Sequence, residues 1–469
     1  MKGTMATFAS KRPDLAGARV LVVGAARSGL AAAELASRHG ATVVVNDRRP
    51  EADLGPAADR ARACGAAVVA GGHPADLAAH ADLLILSPGV PPDVAPVAQA
   101  RRRGIPVWSE IELAWRFAAG RVVAVTGTNG KSTTTAMAGA ILRGAGIPGG
   151  TGGNLGTPFS ELLADDAATA VHAVEVSSFQ LEAIEAFRAG AGTILNLTPD
   201  HLDRYPSIDA YAAAKARLFE TQGAGDAAIL NADDPEHARF LPAIRGVPHF
   251  FSTRREPDAG AFVRAGRIVL RTSLGEEDVL AVAELPVPGE HNVQNALAAA
   301  LLCRLTGCPP AAIAAALRAY RALPHRLEHV ADVAGVRFYN DSKATNLDAT
   351  ERALRSFPDG TIHVILGGKD KGADWASIAP LLATKARRAL LVGAAAPAIR
   401  RALAATVPLE DCGTVSVAVE SGLAGARPGE VVLLAPGCAS FDQYRNFEER
   451  GEDFRRAVAR LASTGSGDA

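Results

Sequence analysis

Short apolar runs alternate with helix-like stretches from the start of the chain. Apolar runs occupy residues 19–23, 42–45 and 82–86, and residues 30–38 have the apolar spacing of a helix. Continuous apolar runs of this kind are typical of strands that are covered on both faces, as in parallel sheets. The first hundred residues therefore predict a Rossmann-like parallel sheet.

The same alternation continues along the rest of the chain. Beyond a connecting helix at 110–115, strands are predicted at 122–125, 171–176, 193–197 and 227–230, a helix at 211–220, β-hairpins across 262–282, and helices at 292–305 and 311–320. Pro324 then marks a junction. Past it, apolar runs at 336–339, 362–366, 389–392 and 431–434 alternate with helix-like stretches.

This organisation predicts an α/β protein of three domains. A Rossmann-like N-terminal domain is expected at residues 1–109, a central parallel-sheet domain of the P-loop ATPase type at 110–322, and a C-terminal Rossmann-like α/β domain at 323–469. The length of 469 residues agrees, because roughly 150 residues per domain gives three units.

Composition narrows the functional classes. The chain carries 49 Lys and Arg against 50 Asp and Glu, so it lacks the basic field that nucleic-acid binding requires. Its five cysteines form no C-x-x-C pair, and an odd number does not suit a disulfide framework. No signal-peptide core and no run of about 18 apolar residues is present. We expect a cytoplasmic monomer with no nucleic-acid or membrane partner.

The strongest chemical signal lies at residues 126–135, between the strand that ends at Val125 and a helix predicted to start near Lys131. Glycines let the backbone N–H groups converge on one point, Lys131 can reach terminal phosphates, and Ser132 can hold Mg²⁺. A glycine-rich turn that merely caps a helix would not need Lys-Ser at this place. The loop is a variant, because Val125 stands where the full P-loop pattern has glycine.

These residues carry a family resemblance. Gly-Thr-Asn-Gly-Lys-Ser-Thr at 127–133 resembles the ATP-binding signature of Mur ligases and folylpolyglutamate synthases. The resemblance continues through Gly-Asn-Leu-Gly (153–156), Glu-Val-Ser-Ser-Phe-Gln (175–180), Asp-His-Leu-Asp-Arg-Tyr (200–205), His-Asn-Val-Gln-Asn (291–295), Pro-His-Arg (324–326), Asn-Asp-Ser-Lys-Ala-Thr-Asn (340–346) and Ala-Ser-Phe-Asp-Gln-Tyr (439–444). The ordered series covers nearly the whole chain.

The metal and ATP sites can be assigned on this basis. Glu175 ends an apolar strand, where a P-loop enzyme needs a carboxylate beside Ser132 for Mg²⁺. The resemblance implies a second Mg²⁺ held by His201 and by Lys215 as a carbamate formed with CO2, although the pattern around Lys215 alone suggests a solvated lysine. Catalytic roles are expected for Lys131, Glu175, His201 and Lys215. ATP is expected to contact Gly127, Thr128, Asn129, Gly130, Lys131, Ser132, Thr133, Asn295, Arg326 and Asp341.

The two other substrates follow from the resemblance. A UDP-sugar is expected at Ala26, Arg27, Ser28, Asp47, Arg48, Gly89, Asn154 and His201. D-Glutamate is expected at Thr345, Lys371, Ser440 and Phe447, with Lys369 an alternative to Lys371. Ala26 replaces the middle glycine of a dinucleotide-binding turn, which argues against a dehydrogenase. His39, His73, His80 and His172 show no functional spacing and are expected to be structural or surface residues.

The resemblance implies ATP-dependent joining of D-glutamate to UDP-N-acetylmuramoyl-L-alanine (UDP-MurNAc-L-Ala) through an acyl phosphate. The central machinery is shared by other members, but the Asp-Asn-Pro-Arg motif of the diaminopimelate- or lysine-adding enzymes is absent. Folylpolyglutamate synthases normally lack a Rossmann-like first domain. The alternative from another class is a regulator that uses the P-loop as a switch.

Overall fold

The computed structural model describes residues 11–74, 76–154, 156–164, 166–202, 204–370 and 372–465. The described residues form two compact units, one from Met1–Val282 with Gln294–Arg318 and the other from Ala283–Val293 with Ala319–Ala469. Two sheets belong to the first unit and one to the second, within the described ranges. The predicted bounds of the three domains, 1–109, 110–322 and 323–469, stay predictions.

The first sheet is parallel and has the order β3-β2-β1-β4-β5. Its strands are β1 (Arg19–Val23), β2 (Thr42–Asp47), β3 (Ala67–Ala70), β4 (Leu83–Leu86) and β5 (Val107–Ser109), and its helices are α1 (Arg27–Arg38), α2 (Glu51–Leu54), α3 (Pro56–Ala63) and α4 (Ala95–Arg102), with a 3₁₀ turn at Leu77–His80. The central strands are buried on both faces, which is why they read as continuous apolar runs.

The second sheet has the order β14-β13-β12-β11-β10-β9-β6-β8-β7. Its strands are β6 (Arg121–Thr126), β7 (Thr151–Gly153), β8 (Val171–Glu175), β9 (Ala191–Ile194), β10 (Ala227–Asn231), β11 (Val247–Ser252), β12 (Gly260–Arg264), β13 (Arg267–Thr272) and β14 (Gly275–Ala281). Its helical elements are α5 (Glu110–Phe117), α6 (Lys131–Gly144), α7 (Ser178–Leu181), α8 (Ile208–Glu220), α9 (Glu290–Leu305) and α10 (Pro310–Ala319), with 3₁₀ segments at Phe159–Leu163, Pro235–Ala243 and Val282–Glu284. Pairing is parallel from β7 to β12 and antiparallel across β12, β13 and β14.

The third sheet has the order β15-β16-β20-β17-β18-β19 and is parallel except between β15 and β16. Its strands are β15 (Glu328–Val333), β16 (Val336–Asn340), β17 (Ile362–Gly367), β18 (Ala386–Val392), β19 (Leu409–Gly413) and β20 (Val431–Leu434). Helices α11 (Leu347–Arg355), α12 (Ala379–Lys385), α13 (Ala396–Leu403), α14 (Val415–Gly425) and α15 (Phe447–Gly465) and a 3₁₀ turn at Trp375–Ile378 complete this unit.

The predicted α/β class with parallel-dominated sheets is confirmed. One predicted strand, 193–197, is wrong at its end, because β9 stops at Ile194. Beyond that residue the chain turns to the loop after β6, where the carbonyl of Asn196 accepts the N–H of Thr128. Most strands that the pattern missed lie at sheet edges, such as β3, β7 and β19, where burial is incomplete and the apolar signal is weak.

Candidate nucleotide and ligation site

The loop between β6 and α6 has a backbone that only glycine adopts readily. Gly127 and Gly130 have φ values of +146° and +85°. A Cβ added at Gly130 would lie 2.4 Å from Oδ1 of Asn295 on α9. The same oxygen accepts a hydrogen bond of 3.2 Å from Oγ1 of Thr134, so Asn295, predicted at the ATP site, packs against the loop.

Asn196, which the sequence reasoning missed, attaches this loop to the end of β9. Its Oδ1 accepts the N–H of Asn129 at 2.9 Å, and its Nδ2 donates to the carbonyl of Asn129 at 3.0 Å. Its position directly after a buried strand was the available signal, because loops at the carboxyl ends of neighbouring parallel strands meet. Thr133 continues the loop into the first turn of α6.

Ser132, in the first turn of α6, is in contact with Glu175, at the end of β8. The Ser132 hydroxyl donates to Oε2 of Glu175, and Nδ2 of Asn154 donates to Oε1 at 2.6 Å. Both Ser132 and Glu175 are buried, at 3% and 2% exposure. Asn154, expected near the UDP-sugar, therefore lies beside the acid expected at the metal.

Two lysines point to the carbonyl oxygens of the loop. Lys131 Nζ donates to the carbonyls of Gly127 at 3.0 Å and of Thr128 at 2.7 Å. Lys215 Nζ, on α8, also donates to the Gly127 carbonyl at 2.9 Å and lies 4.4 Å from the ring centroid of Tyr211. Lys215 is 1% exposed, so it is not the solvated lysine that its local pattern suggested. Burial, together with the charge of Lys131, holds the pKa of Lys215 well below its ordinary range.

His201 lies near Tyr211 and is partly exposed to solvent. Its backbone is left-handed, with φ of +55°, and its ring lies 4.9 Å from that of Phe179 and 6.1 Å from that of Tyr211. The side chain is 40% exposed. Asp200, also missed by the sequence reasoning, accepts the N–H of His201 and raises the pKa of Lys215, which places its charge near the buried amine.

The oxygen atoms at Ser132 and Glu175 suit Mg²⁺, which prefers a few protein oxygens combined with phosphate and water. Among the described residues, no group of three or more His, Cys, Asp and Glu side chains is arranged to hold a metal ion. A hydroxyl beside one buried carboxylate is the pair that a P-loop protein offers to a nucleotide-bound magnesium. The residues present therefore fit this ion.

A separate pocket of about 480 Å³ lies at the carboxyl end of the first sheet. Its lining consists of Gly24, Ala26, Ser28, Asp47, Arg48, Arg49, His73, Ser87, Pro88, Gly89, Val90 and Pro91. Five of the residues predicted for the UDP-sugar are included, whereas Arg27 lies at the first position of α1, outside that lining. His73 was expected to be structural or superficial, yet it lines the pocket.

The second unit contains the remaining predicted residues. Asp341 follows β16, accepts the N–H of Leu327 at 3.1 Å, and has its pKa raised to about 7 by burial, against the opposing charge of Arg326. Ser440 is buried. Thr345 is half-buried before α11. Lys371 lies outside the described residues.

Arg450 organises this second cluster and was missed by the sequence reasoning. It is 1% exposed and donates to the hydroxyl and carbonyl of Ser342 and to the carbonyl of Cys438. Ser342 in turn donates to the carbonyl of Phe447 at 2.8 Å. Lys369, the alternative D-glutamate ligand, donates its backbone N–H to the carbonyl of Ala439, next to Ser440.

A glycine-rich loop on a parallel strand, with a buried acid against its serine, defines a nucleotide-binding protein of the P-loop type. Family models agree along the chain: the Mur ligase MurD-like N-terminal domain matches residues 18–109, the Mur ligase middle domain 125–303, and the Mur ligase glutamate ligase domain 325–438. The chain belongs to the Mur ligase family. Membership in this family implies that the protein uses ATP and Mg²⁺.

Individual relatives extend over nearly the full length. UDP-N-acetylmuramoylalanine–D-glutamate ligase of Acidobacterium capsulatum is 46% identical over 95% of this chain and 97% of its own. The enzyme of the same name from Anaeromyxobacter dehalogenans is 47% identical over 96% and 99%.

Solved structures show the same fold. A pseudomurein peptide ligase type C from Methanothermus fervidus has a TM-score of 0.61 at 19% identity, covering 95% of this chain and 100% of its own. UDP-N-acetylmuramate-alanine ligase from Thermotoga maritima has a TM-score of 0.60 at 20% identity, covering 95% and 99%. No helix in the described ranges is long and apolar enough to cross a membrane.

Proposed function

We propose that this protein joins D-glutamate to UDP-MurNAc-L-Ala at the expense of ATP, in the synthesis of peptidoglycan precursors. The observation that carries the ligase activity is the buried pair of Ser132 and Glu175 against the phosphate loop. The choice of substrates is supported by relatives 46–47% identical over nearly the whole chain, whose names state this reaction. We also propose that the protein is a cytoplasmic monomer, and the absence of disulfides among its cysteines in the described residues is compatible with a reducing compartment.

The proposed chemistry needs no protein nucleophile. The muramoyl-alanine carboxylate attacks the γ-phosphorus of ATP, so an acyl phosphate forms and ADP leaves. The amine of D-glutamate then adds to the acyl carbon, and phosphate leaves as the amide forms. The N-terminus of α6 and the charge of Lys131 would stabilise the phosphates, and Mg²⁺ held by Ser132 and Glu175 would supply further neutralisation of their charge. Asn295, Arg326 and Asp341 are proposed to hold the nucleoside of ATP.

Lys215 is proposed to react with CO2. Burial lowers the pKa of the Lys215 amine and so favours its uncharged form, whose lone pair can add to CO2 to give a carbamate and release one proton. The carbamate replaces a buried cation by an anion. Together with His201, this anion would hold a second Mg²⁺.

The two organic substrates are assigned to different parts of the chain. The UDP portion is proposed to occupy the first-sheet pocket, with its diphosphate at the N–H groups near Ala26 and Ser28 and at the start of α1. Asn154 and His201 are proposed to face the sugar-peptide portion. D-Glutamate is proposed to bind at Thr345, Lys371, Ser440 and the backbone of Phe447.

The reaction can be tested by measuring ADP release. We expect turnover only when UDP-MurNAc-L-Ala and D-glutamate are both present, with L-glutamate and meso-diaminopimelate failing to replace D-glutamate. Lys131→Ala should abolish the turnover. ADP release that is independent of both substrates would instead show a nucleotide switch, and the proposed ligase would be wrong.

The carbamate has a more specific test, in which Lys131→Ala is the matched control. Lys215→Ala should lose activity and regain part of it with short carboxylic acids, because they supply the missing anion. Lys131→Ala should not be rescued, since that variant lacks a cation. A ¹³C carbamate signal from ¹³CO2 should disappear in Lys215→Ala. Absence of both the signal and the rescue would refute the carbamate while leaving the ligase reaction intact.

A further inference from the structure

His73 occupies the end of the first-sheet pocket that lies farthest from the phosphate-binding turn. In the order β3-β2-β1, Ala26 and Ser28 follow β1, Asp47 ends β2, and His73 follows β3. All three strands are parallel, so these positions line one edge of the sheet in that sequence. A nucleotide with its diphosphate at the first turn therefore directs its nucleoside towards Asp47 and His73.

The tautomer of His73 is determined by Asn46. Asn46 is fully buried, and its Nδ2 donates to the carbonyls of Val69 at 2.9 Å and Gly72 at 2.8 Å. The reverse orientation of this amide would place its oxygen against two carbonyl oxygens. Oδ1 therefore faces Nδ1 of His73, 2.6 Å away, and can only accept. Nδ1 therefore carries a proton, and in the uncharged form of the ring the lone pair lies on Nε2.

Asp47, the other acceptor at this end of the pocket, is already saturated by the protein. Its Oδ2 accepts from the N–H of Ala25 and from a terminal nitrogen of Arg49, and its Oδ1 accepts from the backbone and Nε of Arg49. These four hydrogen bonds use the usual acceptor capacity of a carboxylate. His73 Nε2 is a side-chain acceptor at this end of the pocket that forms no hydrogen bond with a described residue.

We propose that His73 Nε2 accepts a hydrogen bond from N3–H of the uracil ring and selects uracil over cytosine. Cytosine has an unprotonated N3, so two lone pairs would face each other in its place. This assignment rests on the proposed binding of the UDP portion in the first-sheet pocket. It makes His73 a specificity-determining residue, distant from the reacting phosphate.

Two substitutions separate the contact with Asn46 from the contact with the base. His73→Asn keeps an N–H donor near the position of Nδ1 and lacks an acceptor at Nε2, whereas His73→Gln reaches farther and carries an acceptor there. Calorimetric titration with UDP and CDP, without ATP, measures the preference directly. We expect the UDP preference to fall about fivefold in His73→Asn, the effect of one lost hydrogen bond, whereas His73→Gln should keep its affinity for UDP, because the amide oxygen can accept from N3–H.

Ligand variants identify the atom involved. UDP methylated at N3 should bind the wild type more weakly than UDP does. His73→Asn should bind N3-methyl-UDP and CDP with the same affinity. The loss of affinity caused by His73→Asn should be the same for 2′-deoxy-UDP as for UDP. If removing the 2′-hydroxyl abolishes the effect of His73→Asn, the partner is ribose and the base assignment is wrong. An unchanged UDP-to-CDP preference in His73→Asn also overturns it.

A readout independent of affinity is the ¹⁵N NMR spectrum of the histidine rings, with His73→Asn used for assignment. We expect the Nδ1–H tautomer in the ligand-free protein. The Nε2–H tautomer would overturn the inference. A wild-type protein that binds no UDP would refute the proposed substrate instead, and in that case the Nδ1–H tautomer would still be observed.

Discussion

Replacing Glu110 by glutamine should stabilise the protein above neutral pH. Glu110 begins α5 and is 1% exposed. Its Oε1 accepts the N–H of Ser160 at 2.6 Å, but Oε2 is buried without a hydrogen-bond partner among the described residues. A buried carboxylate with one unpartnered oxygen is costly in its charged form, and an amide of the same shape carries no charge.

The magnitude follows from the pKa of Glu110, which burial raises from 4.5 to about 7. Because the folded state binds this proton more tightly than the unfolded chain, wild-type stability falls as pH rises from about 4.5 and levels off above about 7. One pKa unit is worth about 1.4 kcal/mol, so the loss amounts to about 3 kcal/mol. Between pH 5 and pH 8, Glu110→Gln should gain most of this amount relative to the wild type, about 2.5 kcal/mol.

Denaturant unfolding followed by tryptophan fluorescence can measure the difference. The chain has three tryptophans, and in a Trp375→Phe background only Trp108 and Trp115 remain, on either side of Glu110. Titrations at pH 5, 6, 7 and 8 compare the transition midpoints. We expect the two proteins to diverge progressively with pH, in favour of Glu110→Gln.

Glu112, on the same helix, provides a matched control, because its replacement by glutamine is expected to lower stability rather than raise it. It is fully buried, accepts the N–H groups of residues 185–187, and pairs with Arg116 at 2.6 Å. Glu112→Gln should destabilise by about 3 kcal/mol or more, because Arg116 loses its contact of 2.6 Å to this carboxylate and its contact to Glu185 is longer, at 3.5 Å. A gap between Glu110→Gln and the wild type that does not change from pH 5 to pH 8 would show that the Glu110 argument is wrong.

Three further predictions concern the sites. Gly130→Ala should abolish ATP binding, because its Cβ would lie 2.4 Å from Asn295, whereas Gly146→Ala has similar left-handed strain with nothing within 4 Å and should bind ATP normally in calorimetry. Glu175→Gln should raise the Mg²⁺ concentration needed for half-maximal ADP release at least tenfold; an unchanged Mg²⁺ dependence would exclude Glu175 as a ligand. Arg450→Met should raise the KM for D-glutamate more than that for ATP, because Arg450 holds Ser342 and the carbonyl of Cys438 near the proposed D-glutamate residues, and roughly 3 kcal/mol should be lost from stability. Equal changes in the two KM values would show that Arg450 does not position the D-glutamate residues.

The sequence alone was sufficient for features that depend on local spacing. Central strands such as β1 and β20 are buried on both faces, so their apolar runs were readable without a fold. The phosphate loop could also be predicted from the sequence, because the strand end, the glycines and the Lys-Ser pair all lie within the continuous segment 126–135. The order of motifs likewise indicated the family, which the comparisons confirmed.

Tertiary structure decided what depends on neighbours distant in the chain. Lys215 has the local pattern of a solvated lysine, and only the packing of α8 against the loop buries its amine beside Gly127. Asn196, Arg450 and His73 gain their roles from partners brought close by parallel strands or by a long helix, and no spacing along the chain encodes those contacts. Burial and hydrogen-bond direction are properties of the assembled sheets, so pKa values and tautomers could be assigned only after folding was known.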